Sequence, residues 1–466
     1  MDKNKNKPVI DFDVAVIGAG QAGPTLAMTL AGGGKKVALI EGGLLGGSCV
    51  NYGCTPTKTL RKSARVAYLA RRAGDFGIQV GKVDIDFAAV MERMQQRVDK
   101  SRAGLEKSIA GQEGLTLLRG WGAFAGRTGD RFELTAGDQT LRASRVFLNT
   151  GTRSFIPPLP GIDDVPHLDN VSLLQLRELP RHLIIIGGSY IGLEMGQIFR
   201  RLGSEVTVIE AGPRITGREN EAVSKAITEM LRAEGVRFQT GKEVEGVEKS
   251  SDSGIAVKVG RQRVEGSHLL VATGRSPNTE RLNLSAVGVK TDKHGFVPTN
   301  GKLETNVPGI WAVGDINKRG AFTHTSYQDG QIVLANLEKG SARSADGRVS
   351  TYAMYTDPPL GRVGLSEAEA RDSGRATLVA NFQMKDVSRA KEESETAGLM
   401  QILVDKQSEK IIGASLLGFG CDEVIQVISN FMATGARYQM LRDALPIHPT
   451  VAEFLPFLLD KVEPLK

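Results

Sequence analysis

Two stretches of this chain carry the same pattern of apolar, small and polar positions. Val14 to Glu41 reads VAVIGAGQAGPTLAMTLAGGGKKVALIE, and Leu183 to Glu210 reads LIIIGGSYIGLEMGQIFRRLGSEVTVIE. Each opens on an apolar run and breaks at glycines. Each then resumes with apolar residues at helical spacing, breaks again near glycine, and closes on a second apolar run ending in Glu. The pattern predicts strand, turn, helix and strand, twice. The acid stands at the same distance from the first glycine in both copies.

This is the βαβ pattern that binds dinucleotides. In the first copy Gly18 makes the tight turn, Gly20 leaves room for a pyrophosphate, and Gly23 lets helix and strand pack closely. The helix N-terminus offers free N–H groups and a positive dipole end to the phosphates. Glu41 would accept hydrogen bonds from ribose hydroxyls. In the second copy Gly187 and Gly192 remain, with Ser189 in the middle position. A single glycine fingerprint is weak, because glycines also punctuate ordinary turns; two copies at matched spacing are strong. Two such sites suggest an electron relay between a nicotinamide and a flavin, which can hand two electrons on to thiol chemistry. Glu210 suits a free 2′-hydroxyl and would repel a 2′-phosphate, which favours NADH. Arg214 and Arg218 follow closely and leave NADPH open.

Further elements follow from the same kind of reading. VFLNTGTRSFIPPLPGI (Val146 to Ile162) and LLVATGRSPNT (Leu269 to Thr279) are strands ending in Thr-Gly, and TNVPGIWAVGD (Thr305 to Asp315) is a strand ending in Gly-Asp. From about Ala345 the character changes. ATLVANFQM, GLMQILVD and IIGASLLG read as strands, and CDEVIQVISNFMATG as an amphipathic helix, giving an α+β unit. Asp86 to about Gln112 reads as a long, charged, surface-exposed helix. The fold class expected is α/β: two Rossmann-like dinucleotide-binding domains plus a C-terminal α+β domain.

Length and charge narrow this only a little. The chain has 466 residues, room for about three domains at roughly 150 residues each. Its net charge of +6 comes from scattered basic residues interleaved with acids. A nucleic-acid surface needs a basic cluster interleaved with aromatics, so none is expected. No apolar run reaches membrane-spanning length. The basic start, MDKNKNK, lacks the apolar core of a signal peptide and reads as a tail. Three cysteines do not make a disulfide framework. A reducing, cytoplasmic setting is expected, where a disulfide is catalytic more often than structural.

Two of the three cysteines fall in GGSCVNYGCTPTK, Gly46 to Lys58. Zinc needs four ligands, usually with Cys-x2-Cys spacing and a second cluster, and neither is present. No metal site is expected. A structural staple meets a geometric obstacle. Five residues of ideal helix rise about 7.5 Å, whereas bonded cysteines keep their Cα atoms within about 6.8 Å. The segment must be irregular if the two bond, and Asn51 and Gly53 are residue types that permit such a turn. A strained loop suits a reducible bond better than a staple. The third cysteine, Cys421, opens a predicted helix and reads as buried packing.

At this point GAGQAG, GGSCVNYGCTPTK, GGSYIGLE, TNVPGIWAVGD and IHPTVAEFLP resemble, in order and spacing, the class I pyridine nucleotide–disulfide oxidoreductases. These flavoproteins include dihydrolipoamide dehydrogenase, glutathione reductase and mercuric reductase. The resemblance runs from about Asp13 to Glu463. It implies an FAD-binding domain over 1–150, an NAD(P)-binding domain over 151–276, a central domain over 277–345 that completes the FAD site, and an interface domain over 346–466. It implies a homodimer with an active site shared between subunits and a small disulfide or dithiol as substrate.

The resemblance also assigns roles. Cys49 would be the thiol that attacks substrate, and Cys54 the one that exchanges electrons with the flavin. Lys58 would favour the Cys54 thiolate and pair with Glu194. His448 would move the proton to and from Cys49, with Glu453 orienting its ring. Thr450 to Glu453 also reads as a helix capping box, and the two readings are compatible. FAD would be held by Gly18, Gly20, Gly23, Glu41, Gly47, Ser48, Lys58, Gly122, Thr150, Gly151, Asp315, Phe322, Thr323, His324 and Thr325. NAD(P)H would meet Gly187, Tyr190, Ile191, Gly192, Glu194, Glu210 and Gly274. In glutathione reductase-like members a tyrosine at the place of Tyr190 covers the flavin until nicotinamide arrives.

Three functions stay open at this stage. The first is reduction of a disulfide, or oxidation of a dithiol in reverse. The second is reduction of a metal ion on the same scaffold. The third is a flavin-bearing redox sensor that does not turn over. Mercuric reductases typically end in a vicinal cysteine pair, which FLLDKVEPLK lacks. Tyr52 and Thr55 stand where many relatives carry small or branched apolar residues.

Overall fold

The structure, a computed structural model, describes residues 9–250 and 254–465. The basic start, residues 1–7, lies outside them. The chain divides into two compact units: Met1–Thr59 with Ala89–Phe155 and Gly274–Arg348, and Leu60–Ala88 with Ile156–Thr273 and Val349–Lys466.

The first unit is built on a seven-stranded sheet. Ile10–Ile17 pairs in parallel with Val37–Glu41 on one side and with Gln139–Leu148 on the other. Leu115–Arg119 and Ile310–Ala312 extend the parallel part, and Arg131–Ala136 and Gly122–Thr128 add an antiparallel wing. The C-terminal end of Ile10–Ile17 therefore opens onto a point where the strand order reverses, the place where such sheets bind ligands. Alternate residues of that strand serve two cores. Val14 and Val16 pack with Leu26 and Leu30 of the Gly23–Gly32 helix, while Ala15 and Ile17 pack with Phe124, Phe132 and Leu134. Burying each of the larger side chains contributes about 1.5–3 kcal/mol. Both faces are thus covered, which is why the strand reads as one apolar run.

The second unit repeats the pattern. His182–Ile186 pairs in parallel with Glu205–Glu210 and with His268–Val271, and Arg237–Thr240 closes the sheet. The helix between the first two strands is Tyr190–Leu202. A three-stranded antiparallel meander and a six-stranded antiparallel sheet complete the unit. The helix Cys421–Thr434 lies in the core of the six-stranded sheet, with Cys421 fully buried. Burial pushes its thiol well above the ordinary range, as inert packing requires.

A charged knot holds the Tyr190–Leu202 helix in place. Arg201, 4% exposed, donates to Glu234 Oε2 at 2.7 Å and is paired with Asp357. Its guanidinium stacks on the Tyr68 ring, 3.8 Å from the centroid. Arg65 bridges Asp357 at 2.7 Å and Glu395 at 3.2 Å. Burial drives the Asp357 carboxyl up, but Arg201 and Arg65 outweigh it and hold the carboxyl below its ordinary range.

One sequence expectation changes. The long helix runs Phe87–Ala110 and is not simply exposed, because Phe87, Met91, Met94, Val98 and Ile109 are buried. These apolar residues recur three, four and seven apart, one stripe hidden among many charges.

Candidate active site

The cysteine segment is two helices separated by one glycine. Gly46 and Gly47 take left-handed φ values of +94° and +59°, turning the chain into the short helix Gly47–Tyr52. Gly53, at φ −131° and ψ −116°, breaks it, and Cys54–Arg71 begins a new helix. A side chain at Gly53 would press against Ser48 O at 3.0 Å and Cys49 Cα at 3.3 Å, so the break depends on glycine. Asn51 makes no turn. It is helical and buried, and its amide donates to Leu45 O at 2.9 Å and Gly47 O at 3.0 Å, tying the loop down.

Cys49 and Cys54 are free thiols that share a hydrogen bond. One proton between two sulfurs cannot serve both, and the surroundings decide which keeps it. The hydrogen bond from Cys49 stabilises a Cys54 thiolate and outweighs burial. The Thr323 hydroxyl, 3.2 Å from Cys54 Sγ, and the Lys58 charge add to it, and the Cys54 pKa falls to about 6. Cys49 moves the other way: the same hydrogen bond, burial and the Cys54 charge all raise it. The pair is polarised, with the thiolate on Cys54 and the proton on Cys49.

The glycine turns have the shape that a dinucleotide needs. Gly18 has φ +103°, and a Cβ there would overlap Asn149 O. A Cβ on Gly23 would overlap the Gly18 carbonyl oxygen, and one on Gly47 would lie 2.8 Å from Gly20 Cα. The Gly23–Gly32 helix has no cap from its own N-cap residue, Ala22; Asn149 takes Gly23 N, and Pro24 has none to offer. Glu41 is fixed by Ala19 N at 2.7 Å and Gly43 N at 2.7 Å. The second site repeats this, with Gly188 N at 2.7 Å and Gly212 N at 2.8 Å on the Glu210 carboxylate. A Cβ on Gly192 would overlap the Gly187 carbonyl oxygen. Beside this second turn lies a cavity of about 340 Å³, whose lining includes Gly187, Ser189, Glu210, Lys242 and Thr273. The residues present fit FAD in the first unit and a nicotinamide dinucleotide in the second.

Asn149 was missed in the sequence. Buried, it accepts from Gly23 N at 2.9 Å and donates to Val313 O at 3.0 Å, fastening the helix N-terminus to two strands. It directly precedes the Thr-Gly that the motif reading singled out, and Ala272 takes its place in the second copy.

The remaining expected residues fall as follows. Thr150 donates to Asn278 O at 2.9 Å, and Gly151 has φ +64°. Asp315 accepts from Thr152 Oγ1 at 2.9 Å, and burial raises its pKa. Gly122 is packed against Ile17 and Ile40. Phe322 and His324 stack at 5.5 Å, and Thr325 caps its own helix by accepting from Phe322 N at 3.1 Å. Thr323, expected as a cofactor contact, has its hydroxyl 3.2 Å from Cys54 Sγ. Ser48 lies on the Gly47–Tyr52 helix, next to Cys49. In the second unit Ile191 follows Tyr190 on its helix, and Glu194 accepts from Tyr355 N at 2.8 Å. Gly274 stands at φ +158° in the first unit.

His448 Nδ1 lies 2.8 Å from Glu453 Oε2. The histidine side chain is 74% exposed and the glutamate 7% exposed, so a buried acid aims an open imidazole. The capping box is half formed: Thr450 Oγ1 accepts from Glu453 N at 3.1 Å, while the glutamate side chain turns to His448.

Comparison with known proteins agrees with this geometry. The family model for pyridine nucleotide-disulphide oxidoreductases matches residues 12–330, and the model for their dimerisation domain matches residues 350–457. The probable pyridine nucleotide-disulfide oxidoreductase RclA of Escherichia coli (strain K12) is 32% identical over 97% of this chain and 99% of its own. A mercuric reductase of Staphylococcus aureus is 33% identical over 96% of this chain and 81% of its own. A dihydrolipoyl dehydrogenase of Cupriavidus necator is 31% identical over 95% and 96%. The solved structure of E. coli RclA, described as an HOCl-induced flavoprotein disulfide reductase, superposes with a TM-score of 0.87 at 32% identity, covering 96% of this chain and 99% of that one. Among the described residues no helix is long and apolar enough to cross a membrane. The chain belongs to the pyridine nucleotide-disulphide oxidoreductase family, and is an FAD- and NAD(P)H-dependent oxidoreductase acting on sulfur groups.

Proposed function

We propose that Cys49 and Cys54 are the working pair of an NAD(P)H-dependent reductase of small disulfides, active as a homodimer in the cytoplasm. Bound FAD supplies the two-electron exchange between nicotinamide and thiol. Gly18, Gly20, Gly23, Asn149 and Glu41 would hold it, and Gly187, Gly192 and Glu210 the nicotinamide nucleotide. The four segments 1–150, 151–276, 277–345 and 346–466 would divide these duties, with 346–466 forming the interface.

From the reduced pair the chemistry follows from the proton's place. Cys49 keeps the proton at rest, so it needs a base before it can attack. His448 of the partner subunit, aimed by its glutamate, takes that proton. Cys49 then attacks one sulfur of the substrate disulfide, forming a mixed disulfide and expelling a thiolate, which takes the proton back from the imidazolium. The Cys54 thiolate attacks Cys49 Sγ, expels the second substrate sulfur as a thiolate that takes a proton from solvent, and closes the Cys49–Cys54 disulfide. Two electrons leave the protein, and two substrate thiols result. Lys58 and Thr323 keep Cys54 ready as a thiolate.

The observation that carries this reading is geometric: Cys49 and Cys54 stand on two helices that meet at Gly53, and the Thr323 hydroxyl lies 3.2 Å from Cys54 Sγ. Steady-state reduction of an aromatic disulfide by NADH tests it. Cys49→Ser abolishes disulfide reduction while flavin reduction by nucleotide persists; retained disulfide turnover would overturn the reading.

A second reading is reduction of a thiophilic metal ion at the same sulfurs. E. coli RclA has been solved as a Cu(II) complex, and another relative is a mercuric reductase. Metal reduction that survives Cys49→Ser would favour direct flavin chemistry.

A further inference from the structure

Glu219 is a buried acid that neither dinucleotide pattern uses. It lies in the turn between the Glu205–Glu210 strand and the Glu221–Ala233 helix, and its side chain is fully shielded from solvent. Three side chains converge on it. Tyr352 Oη donates to Glu219 Oε1 at 2.6 Å, and Tyr190 Oη donates to the same oxygen at 3.4 Å. The two phenol rings lean together with centroids 5.5 Å apart. Arg362 Nη1 stands 3.6 Å from Glu219 Oε2 and is itself held by Ser415 Oγ at 2.9 Å.

The cluster is not arranged for stability alone. Glu219 Oε2 and Arg362 Nε are both buried without a hydrogen-bond partner among the described residues. Unmade buried bonds are costly and uncommon in native interiors, and they mark places where something besides stability is served. Glu219 holds Tyr352 closely, and the pair steadies Tyr190 through the leaning rings and the longer 3.4 Å contact. That tyrosine begins the Tyr190–Leu202 helix, directly after the Gly187-to-Ser189 turn. The same glutamate is fastened to the other end of the nucleotide pattern: its carbonyl accepts from Arg214 Nη1 at 2.7 Å, and Thr216 N in the same turn donates to Gly188 O at 2.8 Å.

We propose that Glu219 and Tyr352 are positioning residues that latch Tyr190, and that the latch sets how readily the nicotinamide end of the nucleotide is admitted. The proposal rests on the reading of Tyr190 as the side chain that incoming nicotinamide displaces. A latched tyrosine must give up its hydrogen bond to Glu219 and its ring contact with Tyr352 before it moves. An unlatched one moves without that cost, so binding tightens while the later thiol steps are untouched.

Steady-state and rapid-mixing kinetics with NADH on FAD-loaded protein test this, using Tyr352→Phe, Glu219→Gln, Tyr190→Ala and the Tyr190→Ala/Tyr352→Phe double variant. Tyr352→Phe and Glu219→Gln each lower KM for NADH by about threefold to tenfold, the worth of one hydrogen bond, with kcat for disulfide reduction unchanged. Tyr190→Ala lowers KM as well, and adding Tyr352→Phe to it changes nothing more, the non-additivity that marks one coupled unit. A general loosening of the fold would not split KM from kcat in this way. If Tyr190→Ala lowers KM but Tyr352→Phe does not, the latch is wrong and the gate stands. If Tyr190→Ala leaves KM unchanged, the gate reading fails and the latch with it. Tyr352→Phe removes one hydroxyl and keeps the packing, so the test survives if Glu219→Gln folds poorly.

Discussion

Thr323 Oγ1 lies 3.2 Å from Cys54 Sγ, although 269 residues separate the two in sequence. The hydroxyl acts with Cys49 and Lys58 to hold Cys54 as a thiolate, with a pKa near 6. The thiolate is present above that pH and protonated below it. Thr323→Val keeps the shape and removes the hydroxyl. It raises the Cys54 pKa by about one unit, the worth of a hydrogen bond to a charged group. Ultraviolet thiolate absorbance of the reduced protein against pH reads this; an unmoved midpoint would remove Thr323 from the account.

The two glycine turns can be damaged separately. A Cβ on Gly23 meets the Gly18 carbonyl, and one on Gly192 meets the Gly187 carbonyl. Gly23→Ala therefore gives protein with little bound flavin. Gly192→Ala keeps its flavin and loses nucleotide affinity by about tenfold or more, because backbone cannot yield as a flexible side chain does. Flavin absorbance per chain and KM for NADH separate the two outcomes.

Under the proposed function Glu210 sets the nucleotide preference. Its carboxylate is pinned by Gly188 N and Gly212 N, so it cannot swing away from a 2′-phosphate. kcat/KM favours NADH over NADPH, and Glu210→Ala narrows the preference by roughly tenfold. A clear preference of the wild-type protein for NADPH would mean that Arg214 and Arg218 dominate instead.

Stability of the second unit leans on the Arg201–Asp357 pair. Breaking a buried pair by removing one partner costs about 3–5 kcal/mol, because the other charge stays buried. Arg201→Met lowers the thermal midpoint with bound flavin little changed. The Asp357 carboxyl is held below its ordinary range. Its contribution is therefore full above the unfolded carboxyl pKa of about 3.9, and fades as pH falls through the lower folded value. Thermal melts of Asp357→Asn and wild type across acid pH check this: the gap between them closes only at the acid end.

The fold was legible where one segment carries its own signal. Both βαβ units, the break between Cys49 and Cys54, the buried Cys421 and the strands and helix of the C-terminal α+β unit follow from periodicity, glycine spacing or thiol chemistry. What was hidden depends on contacts between segments far apart. Asn149 reaches back 126 residues to Gly23, and Tyr352 reaches Glu219 across 133. Asn149 stands beside the Thr-Gly of a local pattern and Tyr352 in none, and in neither case does the neighbourhood announce the distant contact. Asn51 is a residue type that permits turns, but its side chain ties the loop down from within a helix.

The central claim is that the Cys49–Cys54 pair stores two electrons beside the flavin. Anaerobic titration of the oxidised, FAD-loaded protein with a stoichiometric reductant measures this directly. Wild type takes up about four electrons per chain, two for each two-electron couple, and Cys49→Ser takes up about two. Uptake of only about two electrons by the wild-type protein would contradict the account.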